Sequence, residues 1–343
     1  MKNILVTGGA GYIGSHMTRM LLEKGYAPVV FDNLSTGHRE FLPKGARFIE
    51  GDLKSQKAIN DVFAKYPIDA VMHFAASIVV SESIVDPFKY YANNFYGSLN
   101  LLTAMLNSRV KLFIFSSTAA VYGQTNEALV TEATSPNPLN PYARSKYMVE
   151  QVLQDISLAH DFRYVTLRYF NVAGSHPSAD IGILVEKPTH LIPSIMAVLS
   201  GRKRFIEVFG DDYDTPDGTC IRDYIYVMDL CLAHLLALEY LKNEMPSDVF
   251  NLGSGRGFSV KEVINAAEKV VGQKINTKIA RRRPGDITKI VADFTKAHKI
   301  LGWKPQGTLE QIIRTSWAFE NLRQGLRKNI GEPPVVLNRK GAY

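Results

Sequence analysis

The chain has 343 residues, of which 46% are hydrophobic and 21% charged, with a formal net charge of +7. This composition is that of a folded globular protein and excludes a disordered or fibrous one. No apolar run approaches the roughly 18 residues of a membrane span, and the N-terminus has the pattern of a first strand and not of a signal peptide. We therefore expect a soluble, cytoplasmic protein of about two domains, whose basic charge suits either anionic small molecules or nucleic acid.

The first half alternates short β-branched runs with amphipathic stretches, which is typical of βαβ units and a parallel sheet. Asp86 and Pro87 predict the start of a helix that ends near Asn107, because Asp is a good N-cap and Pro is favoured at the first helical position. Pro141 predicts a second helix, which ends near His160. Strands are predicted at 3–7, 27–32, 47–50, 70–74, 112–117 and 164–169.

The regular alternation fails beyond about residue 171. Capping boxes at Ser259–Glu262 and Thr308–Gln311 predict later helix starts. We predict a Rossmann-type, doubly wound parallel sheet in residues 1–175, and a smaller C-terminal α/β substrate lobe in residues 176–343, from which some segments pack back on the first domain. Cys220 and Cys231 are predicted to be buried free thiols, because neither has the spacing of a zinc ligand.

A glycine pattern follows the first predicted strand and leads into a helix. Gly8, Gly11 and Gly14 have GxxGxxG spacing, with Tyr12 and Ile13 between the last two. Glycines allow a tight turn and a close approach of the backbone to a pyrophosphate, which binds at a helix N-terminus because N–H groups and the macrodipole favour negative charge. The strand-turn-helix context favours a dinucleotide site over a plain glycine-rich turn.

Two aspartates follow the second and third predicted strands. Asp32 lies 18 residues after Gly14, where an acid accepts hydrogen bonds from the adenosine ribose and repels a 2′-phosphate, which favours NAD over NADP. A simple turn former is the alternative. Asp52 lies where such folds contact the adenine ring.

Tyr142 and Lys146 are four residues apart and therefore lie on one face of the predicted helix. An ammonium beside a phenol lowers the phenol pKa from about 10 towards neutrality, so that tyrosine can act as a general base. The spacing also occurs by chance on protein surfaces, but this pair follows the fifth predicted strand. Ser116 and Thr118 lie at the end of that strand, where ligands bind in open α/β sheets, and Thr118 is predicted to share a hydrogen bond with Tyr142 and a substrate oxygen.

Together these motifs resemble the extended short-chain dehydrogenase/reductase family. Further segments resemble the UDP-glucose 4-epimerases of that family, over about residues 4–303. Two segments, DGTCIRDY and RRPGD, are the most specific, because they belong to the sugar-nucleotide lobe. The segments are HFAA (73–76), YYANNFYGSLNLL (90–102), FSSTAAVYG (115–123), LRYFNVAGSHPS (167–178), FGDDYDTPDGTCIRDYIYVMDL (209–230), NLGSG (251–255) and RRPGD (282–286).

The resemblance implies bound NAD, a UDP-sugar substrate and no metal. The implied NAD site consists of Gly8, Gly11, Tyr12, Ile13, Gly14, Asp32, Asn33, Asp52, Leu53, Phe74, Ala75, Asn94, Ser116, Tyr142, Lys146 and Tyr169. The implied UDP-sugar site consists of Thr118, Asn171, His190, Leu191, Phe209, Arg222, Tyr224, Arg283, Asp286 and Ile290. Arginine forks suit phosphate oxygens, and Arg222, in an apolar run, has no evident counter-ion in the sequence.

The reaction implied by the resemblance is the reversible interconversion of UDP-glucose and UDP-galactose. Tyr142 would take the proton of the sugar 4-hydroxyl while hydride moves from carbon 4 to NAD. The 4-keto sugar would then turn over about its diphosphate link, and hydride would return to its other face. The resemblance also implies a homodimer, in which the helices that begin at Pro87 and Pro141 pair in a four-helix bundle.

Four positions depart from the pattern of the family or vary within it. Thr118 replaces a serine and keeps its hydroxyl, Ile78 stands where some members carry a lysine towards the cofactor, and His190 replaces an asparagine near the uridine. Ile290 stands at the family's sugar-pocket gate, where tyrosine excludes an N-acetyl group. Isoleucine predicts weak epimerisation of UDP-N-acetylglucosamine, unless Ile290 only packs in a strand.

Three alternatives remain open from the sequence. A 4-epimerase of UDP-N-acetylglucosamine, a UDP-pentose or a UDP-uronate would share every catalytic residue named. A nucleotide-sugar dehydratase would carry an acid pair where this chain has Ala119 and Ala120. A non-catalytic NAD sensor or RNA-binding protein fits the basic charge, but it has no need of Tyr142 and Lys146, so no nucleic-acid partner is expected.

Overall fold

A computed structural model describes residues 2–125, 127–283 and 286–329, with side chains as far as residue 325. By their internal contacts the residues form two compact units. The first contains the chain up to Val172 together with Asp223–Gly257 and Ile290–Gln306; the second contains Ala173–Arg222, Phe258–Lys289 and the chain from Gly307. The predicted lobe boundary after residue 175 stays a prediction.

The strands and helices alternate along most of the chain. The strands are β1 (Asn3–Thr7), β2 (Ala27–Asp32), β3 (Arg47–Glu50), β4 (Ala70–His73), β5 (Leu112–Ser116), β6 (Arg163–Tyr169), β7 (Asn171–Ala173), β8 (Ile206–Phe209), β9 (Ile221–Tyr226), β10 (Asp248–Leu252), β11 (Gly257–Ser259), β12 (Thr277–Ala280) and β13 (Lys289–Ile290). The helices are α1 (Tyr12–Glu23), α2 (Gln56–Lys65), α3 (Val80–Val85), α4 (Pro87–Tyr90), α5 (Gly97–Asn107), α6 (Pro141–Ala159), α7 (Leu191–Leu199), α8 (Val227–Lys242), α9 (Val260–Val271), α10 (Thr295–Leu301) and α11 (Leu309–Asn329).

A seven-stranded sheet with the order β10-β6-β5-β4-β1-β2-β3 forms the centre of the first unit. Each of its described pairings is parallel. Its strands are short apolar runs because both faces are covered, and Ile4, Val30 and Phe113 are fully buried. The chain leaves β1 on one side towards β3 and on the other towards β6, which confirms the predicted doubly wound sheet.

Both predicted long helices are confirmed. The carboxylate of Asp86 accepts a hydrogen bond from the Lys89 amide at 3.2 Å, and the helical chain continues from α4 through a π-helical turn, Tyr91–Tyr96, into α5. Asn140 caps α6 by accepting from the Ala143 amide at 2.9 Å. These two starts carry the local signals on which the predictions depended.

The second unit contains a two-stranded parallel sheet of β8 and β12, in which Phe209 lies opposite Ala280. The capping box predicted at Ser259 and Glu262 is present at the start of α9. The Gln311 amide donates to the Thr308 hydroxyl at 3.2 Å, so α11 also starts where predicted.

Other sequence-based expectations have mixed outcomes. Both cysteines are free thiols; Cys231 is buried, as predicted, whereas Cys220 is only partly buried, so the prediction of a buried Cys220 is wrong. Within the described ranges, no cluster of three potential metal ligands occurs, and no helix of that part of the chain has the length and apolarity that a membrane crossing requires.

Candidate active site

The glycine turn between β1 and α1 leaves no room for side chains. Gly8 has φ +70°, and a Cβ added to it would lie 2.5 Å from the Ala75 amide nitrogen. A Cβ on Gly14 would lie 2.1 Å from the Gly8 carbonyl oxygen. Helix α1 starts after Gly11 without a side-chain cap. The turn is thus a backbone cradle at a helix N-terminus, which fits the pyrophosphate of NAD.

The acid at the end of β2 is held by backbone amides. Asp32 is 8% exposed, and its two oxygens accept hydrogen bonds from Ala10 at 3.0 Å and Leu34 at 2.8 Å. Each carboxylate oxygen keeps further acceptor capacity, as recognition of a ribose diol requires. The acceptor oxygens of Asp32 therefore fit the hydroxyls of an adenosine ribose without a 2′-phosphate.

Asp52 lies beside this turn and is also fixed. It accepts hydrogen bonds from the Lys54 amide at 2.8 Å and from the Asn33 side chain at 3.0 Å. Partial burial raises the pKa of Asp52, but these hydrogen bonds and the Lys54 ammonium outweigh it, so the pKa is lowered. Leu53, which follows, is buried.

Asn94, in the π-helical turn, forms hydrogen bonds to two other segments of the chain. Its side-chain oxygen accepts from the Ser77 amide at 2.7 Å, and its nitrogen donates to the Ser77 carbonyl at 3.0 Å and the Ser145 hydroxyl at 3.2 Å. Asn94 therefore ties the chain after β4 to α6. A poor helix former is tolerated here because buried hydrogen bonds hold it.

Ser116 and Tyr169 are connected to a buried histidine. His234 donates through Nδ1 to the Leu230 carbonyl at 2.9 Å, so its Nε2 accepts from the Ser116 hydroxyl at 2.8 Å. Ser116 in turn hydrogen-bonds Tyr169. Burial lowers the pKa of His234 to about 4, which keeps it neutral. Its ring lies 4.7 Å from that of Phe74, so His234, which sequence reasoning missed, orders three predicted NAD contacts.

The predicted catalytic residues are brought together and buried. Tyr142 is 9%, Lys146 3% and Thr118 8% exposed. The Thr118 hydroxyl accepts from the Ala120 amide at 3.1 Å and is hydrogen-bonded with Tyr142. The Lys146 ammonium lies 4.5 Å from the centre of the Phe115 ring. The YxxxK pair is therefore part of the core and not surface decoration.

The pKa of Tyr142 differs from the prediction. Burial raises it, and the hydrogen bond from Thr118 only partly opposes this. Burial also lowers the pKa of Lys146 to about 7, against the attraction of the Glu150 carboxylate. The predicted lowering of the Tyr142 pKa by Lys146 is therefore wrong, because burial disfavours the charged form of each group.

A buried ion pair, missed from the sequence, lies one helical turn beyond Lys146. Arg168 donates through Nη2 to Glu150 at 2.5 Å and through Nε to both carboxylate oxygens at 3.1 and 3.2 Å. The Ser117 hydroxyl donates to the same carboxylate. The Arg168 Nη1 donates to the Tyr122 hydroxyl at 3.0 Å, and this hydroxyl donates to Asn251 at 2.6 Å. Spacing offered one signal, since Glu150 is four residues from Lys146.

Four of the predicted UDP contacts lie together in the second unit. The Arg283 guanidinium lies 3.8 Å from the centre of the Phe209 ring. Arg222 and Asp286 form an ion pair at 3.3 Å. Arg222 therefore has a counter-ion, which was not evident in the sequence because Asp286 is 64 residues away.

The neighbouring Arg282 differs from Arg283. It donates to the Asp212 carboxylate at 2.7 Å and lies 4.1 Å from the centre of the Tyr213 ring. Both arginines are exposed, and the Arg283 guanidinium lies against the Phe209 ring but forms no ion pair with any of the described residues. Arg283 is thus more available to an anion than Arg282, which is already paired with Asp212.

The remaining predicted substrate contacts lie in several elements. In the second unit, His190 is exposed and precedes Leu191, the first residue of α7. In the first unit, Asn171 starts β7, and Tyr224 in β9 and Ile290 in β13 are both 6% exposed. The proposed gate role of Ile290 stays a prediction.

Comparisons with known proteins agree with these observations. Residues 4–253 match the model of the NAD dependent epimerase/dehydratase family. The chain is 48% identical to UDP-glucose 4-epimerase of Streptococcus mutans, over 93% of this chain and 96% of that protein.

Solved structures are similar over nearly the whole chain. UDP-glucose 4-epimerase of Bifidobacterium longum, crystallised with NAD+ and UDP, is 40% identical, with a TM-score of 0.90 and coverage of 94% of this chain and 99% of that one. The UDP-Glc/GlcNAc 4-epimerase of Campylobacter jejuni is 43% identical, with a TM-score of 0.82 and coverage of 94% and 100%. The glycine cradle, the buried tyrosine and lysine, and these similarities lead to one conclusion: the chain belongs to the NAD dependent epimerase/dehydratase family.

Proposed function

We propose that the protein is an NAD-dependent 4-epimerase that interconverts UDP-glucose and UDP-galactose. The observation that carries the proposal is the buried group of Tyr142, Lys146 and Thr118 at the carboxyl end of β5, in the same unit as the glycine cradle. The many relatives named UDP-glucose 4-epimerase support UDP-glucose as the substrate.

The residues that would hold NAD are those of the cradle and its surroundings. Gly8, Gly11 and Gly14 give the pyrophosphate access to the backbone, and Asp32 accepts hydrogen bonds from the ribose. When bound, NAD supplies a hydride acceptor for carbon 4 of the sugar and a positive charge near Tyr142. That charge favours the phenolate, so it counteracts the effect of burial on the Tyr142 pKa.

Tyr142 is the proposed general base. Its phenolate accepts the proton of the 4-hydroxyl, and Thr118 holds the hydroxyl group in line through the hydrogen bond that it shares with Tyr142. Lys146 stabilises the phenolate as an ammonium four residues along α6. The low exposure of all three side chains excludes water, which protects a keto sugar from side reactions.

The second unit supplies the proposed diphosphate contacts. Arg222 and Arg283 carry the planar forks that suit phosphate oxygens. The Arg222–Asp286 pair would open or rearrange as the diphosphate arrives, which leaves Asp286 available to the ribose. The sugar must present both of its faces to the cofactor. This requires firm contacts to the nucleotide and only loose contacts to the hexose.

A homodimer and a cytoplasmic location are further parts of the proposal. Apolar side chains project from the segment around α3 and α4 and from the end of α6: Val85 is 85%, Phe88 84% and Leu158 81% exposed. Val85 and Phe88 are three residues apart, and clustered exposed apolar groups mark association surfaces. A second copy of the chain, paired through α4, α5 and α6, would cover them.

The test is incubation of the purified protein with UDP-glucose and, separately, with UDP-galactose in the presence of NAD, followed by chromatographic separation of the products. We expect the same equilibrium mixture from both sugars, without added reductant. If neither sugar converts, while a UDP-pentose or UDP-uronate does, the substrate assignment is wrong. If no UDP-sugar converts, the proposed activity itself is wrong.

A further inference from the structure

The Glu150–Arg168 ion pair connects the segments that carry the proposed catalytic groups. Glu150 is on α6 with Tyr142 and Lys146. Through Ser117 it contacts the segment that leads into Thr118. Arg168 lies on β6, next to Tyr169. A single carboxylate, on the helix that carries the proposed base, is therefore bonded to a neighbour of the shared hydroxyl, Ser117, and to a neighbour of a proposed cofactor contact, Arg168.

The Glu150–Arg168 pair is buried. The side chains of Arg168 and Glu150 are 7% and 6% exposed. A buried ion pair is often no more stabilising than apolar residues of similar volume, because the desolvation of two charges is costly. Its position beside a second buried cation, Lys146, suggests that the negative charge of Glu150 has a use.

We propose that Glu150 and Arg168 are positioning residues of the epimerase reaction: the carboxylate of Glu150 keeps Lys146 a cation and holds Ser117, and with it Thr118, in place against Tyr142. Arg168 supplies the paired and hydrogen-bonded partner that a buried carboxylate requires. The inference rests on the proposed function.

The surrounding titratable groups do not replace Glu150. They are His73 on β4, Tyr90 on α4, Tyr122 after β5, and Tyr164 and Tyr169 on β6. Burial lowers the pKa of His73 and raises those of the four tyrosines, so all five are neutral near pH 7. The Glu150 carboxylate, in contrast, raises the pKa of Lys146 against the effect of burial.

The direction of the expected effect follows from charge. Glu150→Gln keeps the shape and removes one negative charge, so the Arg168 guanidinium loses its counter-charge and Lys146 loses the carboxylate that favours its protonated form. An added positive balance lowers the pKa of every neighbouring acid and base. The pH profile of kcat has two limbs, and both belong to the coupled Tyr142–Lys146 pair. Both limbs therefore move to lower pH.

The experiment compares Glu150→Gln with Glu150→Asp, which keeps the charge. Two quantities are measured on the NAD-loaded protein: the pH dependence of kcat and the ionisation of Tyr142, the latter as the phenolate difference absorbance against the same protein carrying Tyr142→Phe. We expect both profiles of Glu150→Gln to shift down by about one pH unit. Glu150→Asp is expected to lose rate at constant KM while its profiles stay in place.

The matched control is Glu320→Gln in the second unit. Glu320 accepts two hydrogen bonds from Arg202, at 2.8 and 2.9 Å, and is 3% exposed. Glu320→Gln therefore removes the same group, a carboxylate, from a comparable ion pair. Reduced stability with unchanged pH profiles is expected. Equal profiles for Glu150→Gln, Glu320→Gln and the parent protein would show that the Glu150 pair is only structural and would overturn the proposal.

Two further outcomes of the experiment also distinguish the proposal from its alternatives. If Glu150→Gln fails to fold, Ser117→Ala removes only the hydroxyl bond to Glu150; a several-fold lower kcat at unchanged KM supports the proposal, and an unchanged kcat overturns it. If the parent protein converts no UDP-sugar, the proposed function fails, but the Tyr142 titration still distinguishes a charge effect of Glu150 from none.

Discussion

The two units hold their predicted binding residues in opposite ways. In the first, the groups are buried and fixed by short contacts: Asp32 by two amides, Lys146 in the core, and Ser116 by a neutral histidine. In the second, Arg283 is exposed on an aromatic ring, and Arg222 and Asp286 are bound to each other.

This difference agrees with what each ligand would do. A cofactor that stays bound and reacts at one fixed distance requires preorganised groups, since small displacements cost large factors in rate. A substrate that enters, turns over and leaves requires strong contacts to its constant part, and charged side chains with exchangeable partners provide them. Substitutions in the first unit should therefore affect kcat and cofactor retention, and those in the second mainly KM.

The largest effect is expected at the proposed base. Tyr142→Phe removes the phenol and leaves the ring, and should lower kcat by about 10²-fold or more, as removal of a general base does. NAD should remain bound, because the cradle is untouched. Steady-state rates with UDP-glucose provide the check; an unaltered rate would mean that another group takes the proton.

Gly14→Ala should come next, through the cofactor. The new Cβ would lie 2.1 Å from the Gly8 oxygen, so the turn must distort, and we expect NAD affinity to fall by roughly 10- to 100-fold, equivalent to about 1.4 to 2.7 kcal/mol. The control is Gly325→Ala, where a Cβ meets nothing within 4 Å. Calorimetric titration with NAD measures both, and equal affinities would show that the cradle does not hold the cofactor.

The adjacent arginines offer a smaller and more selective comparison. Arg283→Ala should raise KM for UDP-glucose by about tenfold, the range of a lost charge-assisted contact, at nearly constant kcat. Arg282→Ala should change KM less, because Arg282 is paired with Asp212. Similar KM values for both variants would indicate that the basic loop acts only through its overall charge.

The smallest effect concerns the breadth of the pocket. Ile290→Tyr should abolish the weak conversion of UDP-N-acetylglucosamine that we predict and spare that of UDP-glucose, because the stiff β-branched side chain leaves space that a phenol ring fills. Both rates are measured in parallel with each protein. Equal losses on the two substrates would identify Ile290 as scaffold, in agreement with its burial in β13.

Whether a feature could be predicted from the sequence depended on how far apart in the chain the interacting residues are. The strands, the helix starts at Pro87 and Pro141 and the glycine turn depend on neighbours in the chain, and they were predictable. The counter-ion of Arg222 and the Glu150–Arg168 pair join residues 64 and 18 positions apart, which no local pattern shows. The raised pKa of Tyr142 depends on burial, which is a property of the folded protein.

The most direct test of the proposed chemistry uses UDP-glucose that carries deuterium at carbon 4, in ordinary water. Tyr142 exchanges only the hydroxyl proton, so the account predicts that UDP-galactose formed by the protein keeps the deuterium at carbon 4, as read by mass spectrometry and NMR. Loss of the deuterium to solvent during conversion would contradict a hydride transfer enclosed in the site.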